Sequence, residues 1–405
     1  MTNHTKISSW PSFSNNEIKA VQKVLLSNKV NYWTGAEVRK FEKEFASWSG
    51  TNYAIALANG TLALDLALKA LDVSYGDEVI VTPRSFIASV SCVVNAGAIP
   101  IFADVDPDSG NITAKHIAQV ITQKTKAIIC VHLAGWPCDM DPIMTLAHKK
   151  NIKVIEDCAQ AHGARYKGRS VGSIGHIGAW SFCQDKIITT GGEGGMVTTN
   201  DNLLWKKMWS YKDHGKNFEI MSKNDNSKNF KWMHDTFGTN MRMIEMQAVL
   251  GRIQLKKIKN WTKIRNLNAE KIYKAASKFD SIRVPKFQCD TNKCSNQCST
   301  KSKCIHAYYK CYMYVNIKKL KKSWDRDRII NEINKQGVPC YQGTCPEIYL
   351  EKAFEKTTFK PKKRLNQAKI LGETSLMFFV HPTLSEKEIK KTCMALENVF
   401  KNATL

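Results

Sequence analysis

The most informative stretch of this chain is Val154-Ile-Glu-Asp-Cys-Ala-Gln-Ala-His-Gly163. An apolar, strand-like run ends here in two adjacent carboxylates, Glu156 and Asp157, and open α/β sheets bind their ligands at the carboxyl ends of strands. A carboxylate at such an end can pair with a protonated ring nitrogen, because opposite charge favours the ionised form of each group. The alternative interpretation is that one of the two carboxylates only caps the next helix.

A lysine followed by a glycine-rich turn marks a second segment, Trp180-Ser-Phe-Cys-Gln-Asp-Lys186 and then Gly191-Gly-Glu-Gly-Gly195. A lysine held beside a cofactor can form a Schiff base and transfer protons. The glycines let the backbone come close to the lysine and to the cofactor. Taken alone, a lysine in this context is better explained as a surface residue.

A third segment, Ala58-Asn-Gly-Thr61, follows a strand and opens a helix. Free N–H groups at a helix start favour a phosphate, although a simple helix cap explains the same pattern. Together the three segments offer an anchor for a phosphate, a carboxylate for a pyridinium nitrogen and an amine for an aldehyde. Pyridoxal 5'-phosphate requires these three groups, so it is the predicted cofactor.

Short apolar runs alternate with helical stretches through the first half of the chain, which predicts an α/β fold with a mainly parallel sheet covered on both faces. A large domain at 1–260 and a smaller α/β domain at 261–405 are expected. The seven predicted strands are 53–57, 78–82, 99–105, 127–133, 153–157, 179–183 and 196–199. The main predicted helices are 16–26, 37–47, 62–71, 87–96, 143–149 and 243–264. The stretches 308–315, 326–336 and 385–400 and the segment that starts at Gly337 are expected to make up the smaller domain.

The composition is that of an ordinary globular protein, with 405 residues, 43% hydrophobic and 24% charged. No apolar stretch is long enough to span a membrane, and the N-terminal residues lack the apolar core of a secretory signal. A soluble cytoplasmic protein is therefore expected. The net charge of +24 permits nucleic-acid binding, but the excess lysines look like solvated helix faces, so nucleic acid is not an expected partner.

The 13 cysteines fall into two groups. Residues such as Cys92, Cys130 and Cys183 sit in apolar runs and are expected to be free, buried thiols. The second group, in a polar stretch at 288–304, comprises Cys289, Cys294, Cys298 and Cys304. Its spacing matches no paired zinc pattern, so an exposed insertion is favoured and no metal site is predicted.

With these motifs the chain resembles the DegT/DnrJ/EryC1/StrS family, the nucleotide-sugar aminotransferases of fold type I that use pyridoxal 5'-phosphate. The resemblance covers more than half of the chain and is strong in its motifs, which occur in the family's order. Some family members are dehydratases with a histidine in place of the Schiff-base lysine, so Lys186 favours transamination. The remaining stretches that carry the resemblance are Asn31-Tyr-Trp-Thr-Gly35, Phe41-Glu-Lys-Glu-Phe-Ala46 and Asn240-Met-Arg-Met-Ile-Glu-Met-Gln-Ala248.

The resemblance implies roles for individual residues. Lys186 would form the Schiff base and act as acid and base, and Asp157 would keep the pyridinium nitrogen protonated. Gln160 would lie against the ring near its phenolic oxygen, while Phe86 would stack on the ring unless it is simply a core residue. The phosphate would be bound by Gly60, Thr61 and Ser181.

The family also places the site at a homodimer interface. Asn240 would reach the phosphate of the partner subunit's cofactor, with capping of its own chain's helix as the alternative. The resemblance suggests three residues for the substrate pocket, namely Trp33, His214 and Arg242.

The expected reaction moves an amino group from L-glutamate, which leaves as 2-oxoglutarate, to a nucleotide-linked keto sugar. The favoured acceptor is a 4-keto-6-deoxyhexose, as for a perosamine or viosamine synthase, in amino-sugar and glycan synthesis. The alternatives are a 3-keto-sugar aminotransferase and a non-catalytic regulatory or nucleic-acid-binding protein on the same fold. Intact Asp157 and Lys186 argue against the non-catalytic alternative.

Overall fold

A computed structural model describes residues 7–222, 232–286 and 304–405 of the chain. Its larger sheet has seven strands in the order β1-β9-β8-β5-β4-β2-β3. Neighbours from β8 to β3 run parallel, whereas β9 lies antiparallel to both β1 and β8. These strands are β1 (Tyr53–Leu57), β2 (Glu78–Val81), β3 (Ile99–Phe102), β4 (Thr125–Val131), β5 (Lys153–Asp157), β8 (Ile177–Ser181) and β9 (Gly195–Thr199). The predicted, mostly parallel seven-stranded sheet is confirmed.

The central strands are buried on both faces, which explains why they are almost continuously apolar. Strand β8 begins and ends two residues earlier than predicted. The chain leaves the sheet after Ser181, where the N–H of Phe182 donates to the carbonyl of Gly194 at 2.7 Å. This early exit begins the loop that carries Lys186.

Helices pack on both faces of the large sheet and around the smaller one. The first group is α1 (Asn15–Leu26), α2 (Glu37–Ser49), α3 (Gly60–Ala70), α4 (Ala88–Asn95), α5 (Ala114–Ala118), α6 (Met140–Lys149), α7 (Asn202–Lys212) and α8 (Phe218–Ser222). The second group is α9 (Glu245–Leu255), α10 (Ile258–Ala276), α11 (Arg326–Lys335), α12 (Asn366–Thr374) and α13 (Glu386–Ala403).

The predicted single helix over 243–264 is wrong, because the chain forms two helices there. Helix α9 ends at Leu255 and α10 begins at Ile258. Side chains near the break are engaged with other segments: Gln254 accepts from the N–H of Thr189 at 2.9 Å, and Lys257 pairs with Glu17 at 2.9 Å. These contacts accompany the interruption of the helix.

The smaller sheet is antiparallel, in the order β10-β11-β13-β12. Its strands are β10 (Ile282–Arg283), β11 (Cys311–Val315), β12 (Cys340–Tyr341) and β13 (Ser375–Phe378). Hydrophobic side chains of this sheet form one core with those of α10, α11 and α13. A separate hairpin is formed by β6 (Arg165–Tyr166) and β7 (Arg169–Ser170). The domain boundary at 260/261 falls inside α10, whose first residue, Ile258, packs in the larger core; that boundary stays a prediction.

The N-terminal segment joins the smaller domain to the loop that follows β8. The indole N–H of Trp10 donates to the backbone carbonyl of Lys186 at 2.8 Å. Next to it, the carbonyl of Ser9 accepts from Thr383 at 2.9 Å, and the N–H of Ser8 donates to Glu388 at 2.5 Å. This segment therefore links the two sheets beside the predicted lysine.

Cys92 and Cys130 are free, buried thiols as predicted, and Cys183 is free but only half-buried. Of the cysteines in the polar stretch, Cys304 is described and buried. Cys289, Cys294 and Cys298 lie outside the described residues. No helix among the described residues combines the length and the apolar character needed to cross a bilayer.

Candidate active site

One cavity of about 800 Å³ opens at the carboxyl ends of the parallel strands, between the two sheets. The chain brings together there most of the residues predicted to bind the cofactor. Those that line the cavity are Gly60, Thr61, Phe86, Asp157, Gln160, Ser181 and Lys186.

The start of α3 forms one end of this cavity. Asn59 is the N-cap and its side chain accepts from the N–H of Leu62 at 3.0 Å, so the helix is capped by Asn59 and not by Gly60 or Thr61. A Cβ on Gly60 would lie 2.5 Å from the Cβ of Ser181, so only glycine allows the helix start to approach β8 this closely. The approach places the Ser181 hydroxyl beside the first N–H groups of the helix, an arrangement that suits an oxyanion.

Asp157 ends β5 and is 4% exposed. Its carboxylate accepts from the hydroxyl of Ser89 at 2.8 Å and from the N–H of Ala159 at 3.1 Å. Burial raises the pKa of Asp157 above its ordinary value despite these two hydrogen bonds. A cationic ring nitrogen in the cavity would favour the ionised form. No helix follows β5 directly, so the helix-cap interpretation is wrong.

Glu156, although adjacent in sequence, points away into the protein interior. Its two carboxylate oxygens accept from the N–H groups of Gly172, Ile174 and Gly175, and it pairs with His132 at 3.0 Å. Burial alone would raise the pKa of Glu156, but His132 and the backbone N–H groups lower it overall. Glu156 therefore has a structural role.

His132, Glu156 and Cys158 place potential metal-ligating atoms within 4.8 Å of one another. The N–H of Cys138 donates to Nδ1 of His132 at 2.9 Å, which puts the ring proton on Nε2. That Nε2–H donates to Glu156, so neither ring nitrogen has a lone pair left for a cation. This cluster is a hydrogen-bonded network and not a metal centre.

Lys186 lies in the loop after β8, and its side chain is 15% exposed. It is therefore not the surface lysine that its local sequence favours. Its Nζ lies 3.9 Å from Asp185 and 5.0 Å from the ring centroid of Tyr309. The hydroxyl of Tyr309 donates to Asp185, which ties the lysine loop to the smaller sheet.

Gln160 and Phe86 occupy the cavity wall in different ways. The side-chain carbonyl of Gln160 accepts from the N–H of Ala134 at 2.8 Å, which leaves its amide NH₂ to donate to a ligand. Phe86 is 65% exposed, so it does not belong to the packed core.

Several residues around the cavity are absent from the sequence-based prediction. Ser89 orients Asp157, and the smaller domain supplies a second wall made by Tyr309, Lys310, Tyr312, Tyr341, Gly343, Thr344, Met377 and Phe379. The run Tyr308-Tyr-Lys310, which directly precedes β11, is the one local signal for this wall. Its position opposite Lys186 depends on how the two domains pack.

The other four predicted residues do not line this cavity. Trp33 and Arg242 lie in a separate cluster, where Lys216 Nζ is 4.3 Å from the Trp33 ring and Arg242 pairs with Asp213 at 2.7 Å. His214, next to that cluster in sequence, is exposed.

Asn240 is exposed, and its side chain accepts from the N–H of Arg242 at 3.2 Å. Helix α9 begins at Glu245 with Ile244 as N-cap, so the alternative that Asn240 caps this helix is wrong. A contact of Asn240 with a partner subunit's cofactor stays a prediction.

The described side chains fit pyridoxal 5'-phosphate. The cradle between Gly60 and Ser181 has no room for a Cβ, the buried carboxylate of Asp157 faces the cavity without an ion-pair partner among the described residues, and an amine is present at Lys186. These groups suit a phosphate, a pyridinium and an aldehyde respectively.

Comparison with known proteins identifies a family model and several relatives that match this chain. The DegT/DnrJ/EryC1/StrS aminotransferase family model matches residues 11–397. A GDP-perosamine synthase from Escherichia coli O157:H7 is 44% identical over 249 residues, 60% of this chain and 64% of that protein. A UDP-N-acetyl-3-dehydro-alpha-D-glucosamine 3-aminotransferase from Acidithiobacillus ferrooxidans is 44% identical over 223 residues, 54% of this chain and 56% of that protein. Each match thus spans less than two thirds of the curated relative.

A solved structure extends the similarity over nearly the whole chain. The X-ray structure of the aminotransferase from Psychrobacter cryohalolentis is 61% identical and superposes with a TM-score of 0.93. The superposition covers 98% of this chain and 99% of the other.

Proposed function

The chain belongs to the DegT/DnrJ/EryC1/StrS aminotransferase family, and on that premise we propose that it transfers an amino group from L-glutamate to a keto group on a nucleotide-linked sugar. The observation that carries this proposal is that one cavity contains Asp157, Lys186 and the start of α3, where Gly60 leaves no room for a Cβ. A binding module has no use for a buried carboxylate and an amine facing one cavity. We propose a cytoplasmic homodimer as the working form.

Pyridoxal 5'-phosphate, when bound, supplies an aldehyde that links to amines and a ring that accepts electrons from the substrate carbon. We assign its phosphate to Gly60, Thr61 and Ser181. Asp157 holds the proton at the ring nitrogen, because a buried carboxylate favours a neighbouring cation.

Lys186 removes the α proton of the donor and later delivers a proton to the sugar carbon, so one lysine serves both half-reactions. Gln160, whose amide NH₂ is left to donate, would hydrogen-bond to the cofactor. Phe86, exposed in the cavity wall, would pack against its ring.

The favoured acceptor is a 4-keto-6-deoxyhexose, in line with the relative named as a GDP-perosamine synthase. A 3-keto sugar is the second candidate, because the relative named as a 3-aminotransferase and the GDP-perosamine synthase are each 44% identical to this chain over their aligned residues. The two candidates are distinguished by loading the protein with pyridoxamine 5'-phosphate and mixing it with each keto sugar. The true acceptor restores the pyridoxal absorbance, and the other sugar does not.

The chemical role of Lys186 is tested by borohydride reduction of the pyridoxal-loaded protein. We expect the cofactor to become covalently fixed to the peptide that carries Lys186, as read by mass spectrometry. Lys186→Ala should lose this label and slow turnover by roughly 10²–10⁴-fold, the usual contribution of general acid–base catalysis. Lys149→Ala, at an exposed lysine, is the control. Normal turnover by Lys186→Ala would overturn the assignment, and a wild-type protein that binds no cofactor would favour the non-catalytic alternative.

A further inference from the structure

Two cationic side chains line the cavity among the described residues, Lys186 and Lys310. Lys310 precedes β11 and belongs to the wall that the smaller domain supplies. Since Lys186 is assigned to the cofactor, Lys310 is the cation that remains for another ligand.

The ammonium of Lys310 is held by aromatic rings. Its Nζ lies 4.6 Å from the ring centroid of Tyr309 and 4.4 Å from that of Phe379. Within the described parts of the chain it forms no ion pair and no hydrogen bond. Cation–π contacts orient the ammonium but leave its N–H donors unused.

The charged groups around Lys310 come from the loop after β8 and from α10. Burial lowers the pKa of Lys310 to about 8; Asp185 raises it, whereas Arg265 and Lys186 lower it. Asp185 itself accepts from the Tyr309 hydroxyl, so it is already engaged. Lys310 is therefore a partly desolvated cation that feels the charge of Asp185 but has no direct hydrogen-bond partner among the described residues, and a bound oxyanion would stabilise such a group.

We propose that Lys310 is a specificity-determining residue that binds an oxyanion of the substrate, a carboxylate or a phosphate, at the small-domain wall of the cavity. This assignment rests on the proposed function, which supplies two sources of such an oxyanion. One is the carboxylate of the amino-acid donor, and the other is the diphosphate of the nucleotide-linked acceptor.

The test compares wild-type protein with Lys310→Met, Lys310→Arg and the control Lys318→Met, an exposed lysine of the smaller domain. One arm measures the dissociation constant for L-glutamate and 2-oxoglutarate in the cofactor-loaded protein. The other arm measures calorimetric binding of UDP, GDP and dTDP. Lys310→Met should weaken binding in one arm by about tenfold or more at pH 7, the effect of losing a charge-assisted hydrogen bond.

The pH profile separates a direct contact from a structural effect. Wild-type affinity in the responsive arm should fall between pH 7 and pH 9, because Lys310 loses its proton above about pH 8. Lys310→Arg stays charged, so it should retain affinity at pH 9, whereas Lys310→Met should lack this step.

A loss confined to the glutamate arm assigns the carboxylate, and a loss confined to the nucleotide arm assigns the phosphate. Unchanged affinity of Lys310→Met in both arms overturns the role of Lys310 and leaves the proposed function intact if wild-type protein still transfers amino groups. Lys310-dependent binding of a nucleotide without amino transfer would instead overturn the proposed function alone.

Discussion

We expect substitutions of the two neighbouring carboxylates at the end of β5 to have different effects, on reaction rate for Asp157 and on stability for Glu156. Asp157→Asn keeps the shape of a side chain whose burial already opposes its charge, so the melting temperature of the cofactor-free protein should not fall. Removal of the proton from glutamate should slow by roughly 10–100-fold, because a charge-assisted hydrogen bond contributes about 1.5–3 kcal/mol. Stopped-flow absorbance on the loaded variant measures this rate.

Glu156→Gln is the matched control for that prediction. Its carboxylate accepts from three backbone N–H groups and His132, so the variant should unfold at lower temperature. An unchanged single-turnover rate in Asp157→Asn, with cofactor retained, would refute the assignment of Asp157.

A pH dependence of stability follows from His162, which is fully buried against Trp180 and Phe182. Burial, followed by the charges of Lys186 and Arg265, lowers its pKa to about 3. The unfolded chain binds a proton below its ordinary pKa of about 6.5, whereas the folded protein does not until about pH 3. Stability should therefore fall as the pH falls from about 6.5 to about 3.

Replacing His162 should remove its contribution to the pH dependence of the unfolding free energy. His162→Leu should reduce the slope of unfolding free energy against pH by up to about 1.4 kcal/mol per pH unit, the value for one proton. Denaturant titrations between pH 4 and pH 6.5 measure the slope. A slope in His162→Leu equal to that of the wild-type protein would show that His162 is protonated in the folded state.

At the scale of elements, the start of α3 can lie close to β8 because Gly60 has no side chain. Gly60→Ala would place its Cβ 2.5 Å from the Cβ of Ser181, forcing the helix start and the strand apart. We expect the dissociation constant for pyridoxal 5'-phosphate to rise by about tenfold or more, because charge-assisted hydrogen bonds to the phosphate are lost. Equilibrium dialysis or absorbance titration measures this constant.

Gly251→Ala is the control for steric disturbance in another element. In α9 the added Cβ would lie 2.5 Å from the ring of Phe41, in the core between α9 and α2. This variant should lose stability but bind the cofactor with wild-type affinity. Equal loss of cofactor affinity in both variants would mean that α3 does not hold the phosphate specifically.

At the scale of the whole molecule, the segment before α9 exposes two large apolar side chains. Phe237 is 99% exposed and Ile244 is 42% exposed, on either side of Asn240. We propose that this segment is part of the contact between subunits in the homodimer, in which Asn240 would enter the partner subunit's site.

Mixed dimers test that arrangement directly. If Asn240 acts across the interface, combining Asn240→Ala chains with Lys186→Ala chains creates heterodimers with one intact site and one doubly altered site. The mixture should regain part of the activity that each parent lacks, as measured by amino transfer after subunit exchange. A mixture that stays inactive despite confirmed exchange would place Asn240 within its own subunit's site or outside it.

The sequence alone predicts the seven strands of the large sheet, and seven of the residues that it predicts to bind the cofactor line the cavity. Apolar runs, glycines and strand-end carboxylates are local signals, and parallel strands bring their carboxyl ends to one edge of a sheet. For this reason Asp157 and Lys186 could be predicted as members of one site, and Gly60 as part of the helix start beside them.

The tertiary structure decides which of two adjacent carboxylates faces the cavity and which residues form its second wall. Glu156 and Asp157 cannot be distinguished by their local sequence. In the structure, backbone N–H groups of the loop at 172–175 donate to the Glu156 carboxylate, so Glu156 is not available to a ligand. The bond from Tyr309 to Asp185 joins residues 124 positions apart. Such contacts depend on how two domains pack, and the hydrophobic periodicity of the local sequence contains no information on that packing.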